Sequence, residues 1–250
     1  MLNKTFKKAF TIAEVLIVVG IIGLIAEMTI PPLVKSYEKQ LLLTQLKSAY
    51  SVLSSGVKQI AAQNGCNDLR CTGVFECSTP TNAQACREEI GDKFSSYFNV
   101  AKNCHQNLNN ECFSDQISEN YNGTGARYDY YAKGLVRYKF VLANGTAVYI
   151  NNSSGCTAGT SRNITGDMKI YCLPLLIDVN GPQKGPNNIG RDIFWFYVTD
   201  GRGPALYPMG GDDDSGWPKW DASDAYCRPE KVGGYTCAAR IMAEGWQMNY

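Results

Sequence analysis

Glu14 is the first residue whose chemistry stands out. It is the lone carboxylate near the front of the apolar stretch Phe10–Ile30, FTIAEVLIVVGIIGLIAEMTI. A bare acidic side chain in a membrane helix costs about 2.5–3.5 kcal/mol on insertion scales, so such a group ordinarily has a partner and a purpose. A second candidate set lies in IDVNGPQKGPNNIGRDIF, where Asp178, Asn180, Asn187, Asn188 and Asp192 offer hard oxygens and Gly181, Gly185 and Gly190 permit tight turning. Calcium takes about six to eight such oxygens, and the loop lacks EF-hand spacing. Asn, Asp and Gly are also the ordinary turn formers, with Asp192 then capping backbone amides. Both readings stand, a turn or a calcium site on Asp178, Asn180 and Asp192; beyond that possible Ca²⁺ the sequence requires no cofactor. Asp212, Asp213 and Asp214 form another acidic cluster, read first as a solvated loop.

Enzymatic constellations are absent from the sequence. There is no Gly-x-Ser-x-Gly, no His-Glu-x-x-His and no phosphate-binding loop. The single histidine, His105, falls among Cys104, Gln106, Asn107 and Cys112, in a polar loop with no evident nucleophile, and reads as a surface residue. The expectation is a protein without catalytic activity. The formal net charge is +1, and without residues 1–9 it would be −2, so composition does not point to nucleic acid as a general partner.

Ten cysteines, none before Cys66 and none in a Cys-x-x-Cys pair, lack the tighter ligand spacing of zinc sites. Their even number beyond a membrane-directing segment reads as disulfides made in an oxidising compartment. Sequence does not fix the connectivity. The preferred pairs are Cys104–Cys112, Cys156–Cys172 and Cys227–Cys237, because each closes a short loop.

These groups need elements to hold them. The 21 residues Phe10–Ile30 would span roughly 30 Å as a helix, the thickness of a bilayer core. Lys4, Lys7 and Lys8 precede them and keep the N-terminus cytoplasmic by the positive-inside rule, which puts the remainder across the membrane. Ala26-Glu27-Met28 is a poor secretory cleavage site, and a plain signal anchor leaves Glu14 unexplained. After Pro31 and Pro32, which should bend, loosen or briefly stop the helix, Leu46, Ala49, Tyr50, Leu53, Val57 and Ile60 follow helical spacing. The helix is expected from Phe10 to about Ala62, with Gly65 as its C-cap.

The segment KKAFTIAEVLIVVGIIGLIAEMTIPPL resembles the N-terminus of type IV prepilins and of the pseudopilins of type II secretion. The resemblance covers about 25 residues. It implies a leader peptide 1–9, cleavage between Ala9 and Phe10 by a prepilin peptidase, N-methylation of Phe10, and glutamate as the fifth mature residue, here Glu14. Ala9 departs from the usual glycine but is also small. Gly20, Gly23 and Pro31 fall where the family places small residues and a helix-bending proline. The implied fold class is α+β: a long N-terminal helix, 10–63, packed on an antiparallel sheet in a disulfide-containing head, 64–250. The implied partners are other pilin subunits in a homo- or hetero-oligomeric fibre, the peptidase/methyltransferase, a pilus or secretion assembly platform, and the bacterial inner membrane before assembly. The fibre is expected in the periplasm or on the cell surface. Nucleic acid enters only if the fibre is of the DNA-uptake kind. Physically, Glu14 of one subunit would meet the charged N-terminal amine of a neighbour, two charges costly in lipid becoming one pair that sets register. The large cysteine-rich head favours a minor pilin; the alternatives are a pseudopilin or a membrane-tethered extracytoplasmic enzyme.

In the head, Cys66–Cys86 reads as a disulfide-tied loop and Ala83–Phe98 as a helix with Ile90, Phe94, Tyr97 and Phe98 on one face. VRYKFVLANGTAVYI is a hairpin turning at Asn144-Gly145. Lys169–Val179, Asp192–Thr199 and Ala205–Tyr207 complete a sheet of about four strands. Trp217 and Trp220 around Pro218 read as core first and as a ligand patch second.

Overall fold

A computed structural model describes residues 11–151, 155–158, 166–211 and 226–250. Ala9 and Phe10, the Asp212–Asp214 cluster, Trp217 and Trp220 lie outside the described residues. The chain divides into two compact units, residues up to Leu41 and Leu42–Tyr250.

Helix α1 is Ile12–Gln63. Its start is written in Thr11 and Glu14. The Thr11 amide and hydroxyl each donate to Glu14 Oε2 at 2.8 Å, and the Glu14 amide donates back to Thr11 Oγ1 at 3.2 Å. This is a capping box, satisfying helix-end donors reciprocally. Its end is a Schellman turn: Gly65 has φ 64, its amide donates to the Ala62 carbonyl and that of Cys66 to Ala61. The helix runs through Pro31 and Pro32 without the stop that the double proline suggested. In the first unit the apolar side chains of α1 face outward, from Ile12 at 82% exposure to Leu33 at 70%. Among the described residues α1 is the one helix long and apolar enough to cross a membrane.

From Leu42 the helix belongs to the head. Leu46, Ala49, Leu53, Val57 and Ile60 are fully buried, the stripe expected of a helix with one core-facing side. They share a core with α2, Ala83–Ser95, through Ile90 and Phe94. Asn82 caps α2 by accepting from the Gln84 and Ala85 amides. This helix ends at Ser95, and Tyr97 and Phe98 follow in a turn rather than extending it to Phe98.

Among the described residues the sheet is antiparallel and has seven strands rather than about four. The strands are β1 (Val100–His105), β4 (Lys139–Leu142), β5 (Ala147–Ile150), β6 (Thr157–Ala158), β7 (Ile170–Asp178), β8 (Ile193–Thr199) and β9 (Ala205–Pro208). Their order is β1-β4-β5-β7-β8-β9, with β6 on β7. The Asn144-Gly145 hairpin joins β4 and β5, with Gly145 at φ 88. A separate pair, β2 (Ile117–Ser118) and β3 (Arg127–Tyr128), lies between β1 and β4 in the chain. Alternation along β7 and β8 sorts side chains onto two faces. Leu173, Leu175, Ile177, Phe194, Phe196 and Val198 share a core with α1. Leu176, Ile193, Trp195 and Tyr197 meet Phe113, Ile117, Met168 and Ile189 on the other side. Both faces are thus covered, which explains why all of β8 is buried and why it reads as a continuous apolar run. Helix α3, Cys237–Ala243, adds Ala238 and Ile241 to the first core.

Five disulfides tie the head: Cys66–Cys71, Cys77–Cys86, Cys104–Cys112, Cys156–Cys172 and Cys227–Cys237. The chain is therefore α+β, with a long N-terminal helix and an antiparallel, disulfide-bonded sheet domain.

Candidate functional site

Glu14 lies in the exposed apolar part of α1, at the third helical position. Both Thr11 bonds end on the same carboxylate oxygen, so local capping occupies one oxygen. The Thr-x-x-Glu spacing of a capping box was visible in the sequence and gives Glu14 a local role in starting the helix. Gly20 and Gly23 stand clear on the same helix: a Cβ built on either would have nothing within 4 Å. They are thus open to close approach by another helix. Pro31 lies further along the exposed helix, where its ring removes an amide donor.

The loop between β7 and β8 brings Asp178, Asn180 and Asp192 together around hydrogen-bond donors. Asp192 Oδ2 accepts from the Asn187 amide at 2.8 Å and Oδ1 from the Asn188 amide at 2.7 Å. Asp178 Oδ1 accepts from the Gly181 amide at 3.0 Å, and its Oδ2 accepts from the Ser114 hydroxyl. Both carboxylates are fully buried. Burial, reinforced by the charge of Asp192, pushes the Asp178 carboxyl up to about 8. Burial pushes Asp192 up to about 6, against the pull of the Asn188 and Asn187 amides. Each carboxylate oxygen is thus claimed by a donor. Only two amide oxygens of this loop, Asn180 Oδ1 and Asn187 Oδ1, are out of solvent with no donor. Two unclaimed side-chain oxygens fall short of the about six to eight that calcium takes. As arranged, the residues fit a turn held on Asp192 better than a calcium shell.

His105 corrects its sequence reading in one respect: it is the last residue of strand β1, not part of a loop, although it remains exposed. The strand sets its ring edge-on to Tyr138 at 5.5 Å and its Nδ1 against Glu88 and Asp92 of α2. Tyr138 is a hub: its hydroxyl donates to Asp92 at 2.6 Å and meets Asn103 Nδ2 and Ser95 Oγ at 2.5 and 3.1 Å. Carboxylates four residues apart on a helix were legible; the histidine that folding brings to them was not.

No protein-family model, curated protein or solved structure matches this chain.

Proposed function

We propose that this chain is a structural subunit of a type IV pilus or pilus-like fibre, processed by a prepilin peptidase and assembled through its N-terminal helix, and within that class a minor pilin. One observation carries the reading. A single helix begins with an exposed apolar, glutamate-bearing segment and ends as the core of a disulfide-tied head. Among the described residues nothing covers the first half, so lipid and then neighbouring subunits are its natural surroundings. The head supplies an oxidised, extracytoplasmic body. The pilin-like fold and its fibre partners follow from this reading.

The mature protein should begin at Phe10 and carry a methyl group there, read by mass spectrometry. Ala9→Lys should leave the leader in place; a product that still begins at Phe10 would refute the cleavage site. Glu14→Ala should be inserted and cleaved yet be depleted at least about tenfold from sheared fibres. Equal incorporation would end the register argument. Major pseudopilins carry a calcium site in a late loop, so calcium binding at the Asp178–Asp192 loop would speak for the pseudopilin alternative. A calcium-dependent rise in the melting temperature that is lost in Asp192→Asn would favour it.

A further inference from the structure

Glu88 and Asp92 are separated by one helical turn in α2, so their carboxylates share a face. The end of β1 delivers His105 to that face, with Nδ1 2.7 Å from Glu88 Oε1 and 3.2 Å from Asp92 Oδ1. The three ligand-capable atoms all lie within 4.8 Å of one another. Two donors each ~2.1 Å from one ion, at tetrahedral or octahedral angles, stand about 3.0–3.4 Å apart. Rotamer-scale adjustment therefore brings this trio onto a common ion.

The surroundings orient the ligands. Gln106 Nε2 donates to Glu88 Oε2 at 2.6 Å while also holding the Gln84 carbonyl at 2.9 Å. Tyr138 holds Asp92. Metal ligands are commonly fixed by such outer hydrogen bonds. Both supporting elements are covalently anchored, α2 by Cys77–Cys86 near its start and β1 by Cys104–Cys112 beside His105. No Lys or Arg among the described residues forms an ion pair with Glu88 or Asp92. The trio thus carries net negative charge even with a protonated imidazole. The side chains are 35–51% exposed; Glu88 and His105 line a cleft of about 470 Å³ with Asn82, Gln84, Gln106 and Asn107, while Asp92 is exposed beside it. An ion can enter, and water can complete its shell.

We propose that Glu88, Asp92 and His105 form a site for a divalent first-row transition ion, zinc being the probe. One imidazole with two carboxylates suits zinc and its neighbours, whereas calcium and magnesium prefer oxygen alone. The site is independent of the fibre reading.

The test uses the full chain, without a polyhistidine tag, in a neutral detergent after chelator treatment. Calorimetric titration with Zn²⁺ should show one saturable site that excess Mg²⁺ does not displace. Affinity should fall about tenfold or more in His105→Ala and in Glu88→Gln, with near-ultraviolet circular dichroism checking that each variant folds. A cobalt titration of the unaltered protein needs no variant: ligand-field bands should grow to one equivalent without sulfur-to-metal charge transfer. No saturable uptake of either ion, or zinc affinity unchanged in both folded variants, would overturn the site and leave a histidine–carboxylate ion pair only.

Discussion

The two halves of α1 use the same residue types to opposite ends. In the first unit Leu24, Ile25 and Val34 are 61%, 52% and 46% exposed; in the head Leu46, Leu53 and Ile60 are wholly buried. Composition alone does not separate them. What separates them is whether the chain itself supplies a covering surface. The head's half has a narrow apolar stripe matched to a sheet, with Lys47 and Lys58 off the stripe; in the other half residues 12–34 are apolar nearly all round, interrupted chiefly by Glu14, Glu27 and Thr29, the pattern of a membrane-facing helix. All the cysteines lie in the head, so covalent bracing and the sheet both belong to that unit.

The most severe way to test this contrast is to cut the same side chain in each half. Leu53→Ala should cost the head about 2–5 kcal/mol, the range for a buried leucine that leaves a cavity. Leu24→Ala should change head stability by no more than about 0.5 kcal/mol, as an exposed substitution does. Urea unfolding followed by tryptophan fluorescence measures both. Equal losses would mean that the exposed half also contributes to the head's core.

Burial in the head has an electrostatic side that pH can sharpen. Asp178 has a folded value near 8, above the ordinary carboxyl value of 3.8. The folded form therefore binds more protons than the unfolded one between those values, and stability falls as pH rises through that window. Asp192, near 6, acts in the same direction over the lower part of it. Lys139, pushed down to about 8 by burial, raises stability with pH only above its folded value. The head should thus lose on the order of 4–5 kcal/mol between pH 5 and pH 8. Asp178→Asn should flatten most of that slope. A slope as steep in the variant would assign the pH dependence to other groups.

Legibility followed the range of the forces involved. Helix α1, the Asn144-Gly145 turn and strands β7, β8 and β9 were readable because local periodicity and turn chemistry specify them. Strand β1, VAKNCH, has no apolar alternation; its identity comes from pairing with β4 and from the Cys104–Cys112 bond. Helix α3 is seven residues long and has no side-chain cap, so its signal is tertiary: Cys237 bonded to Cys227, and Ala238 and Ile241 in the core. Asp200 and Gly201 carry local turn chemistry between β8 and β9, yet the buried Asp200 carboxylate also accepts the Leu69 amide at 2.9 Å, across 131 positions of sequence. The Glu88–Asp92–His105 trio has the same character: α2 fixes the two carboxylates locally, and only the fold brings in the imidazole. Glu14 was legible for the opposite reason, since everything that makes it unusual lies within a few residues of it.

Glycine gives the finest version of the comparison. A Cβ added at Gly56 would enter the ring of Phe98, and one at Gly91 the ring of Tyr138. Gly56→Ala and Gly91→Ala should each destabilise the head by about 1–3 kcal/mol through overpacking, despite alanine's better helix propensity. At Gly20 and Gly23 the same substitution meets open space and should strengthen the isolated helix by up to about 1 kcal/mol. If that first segment packs against neighbouring helices in a fibre, the added methyl group keeps the backbones apart, and Gly20→Ala with Gly23→Ala should yield a well-folded subunit that assembles poorly. Thermal unfolding and recovery in sheared fibres read the two effects separately. A double variant that folds and assembles as the natural chain does would show that these glycines are not packing positions, and the openness around them would then reflect only exposure to lipid.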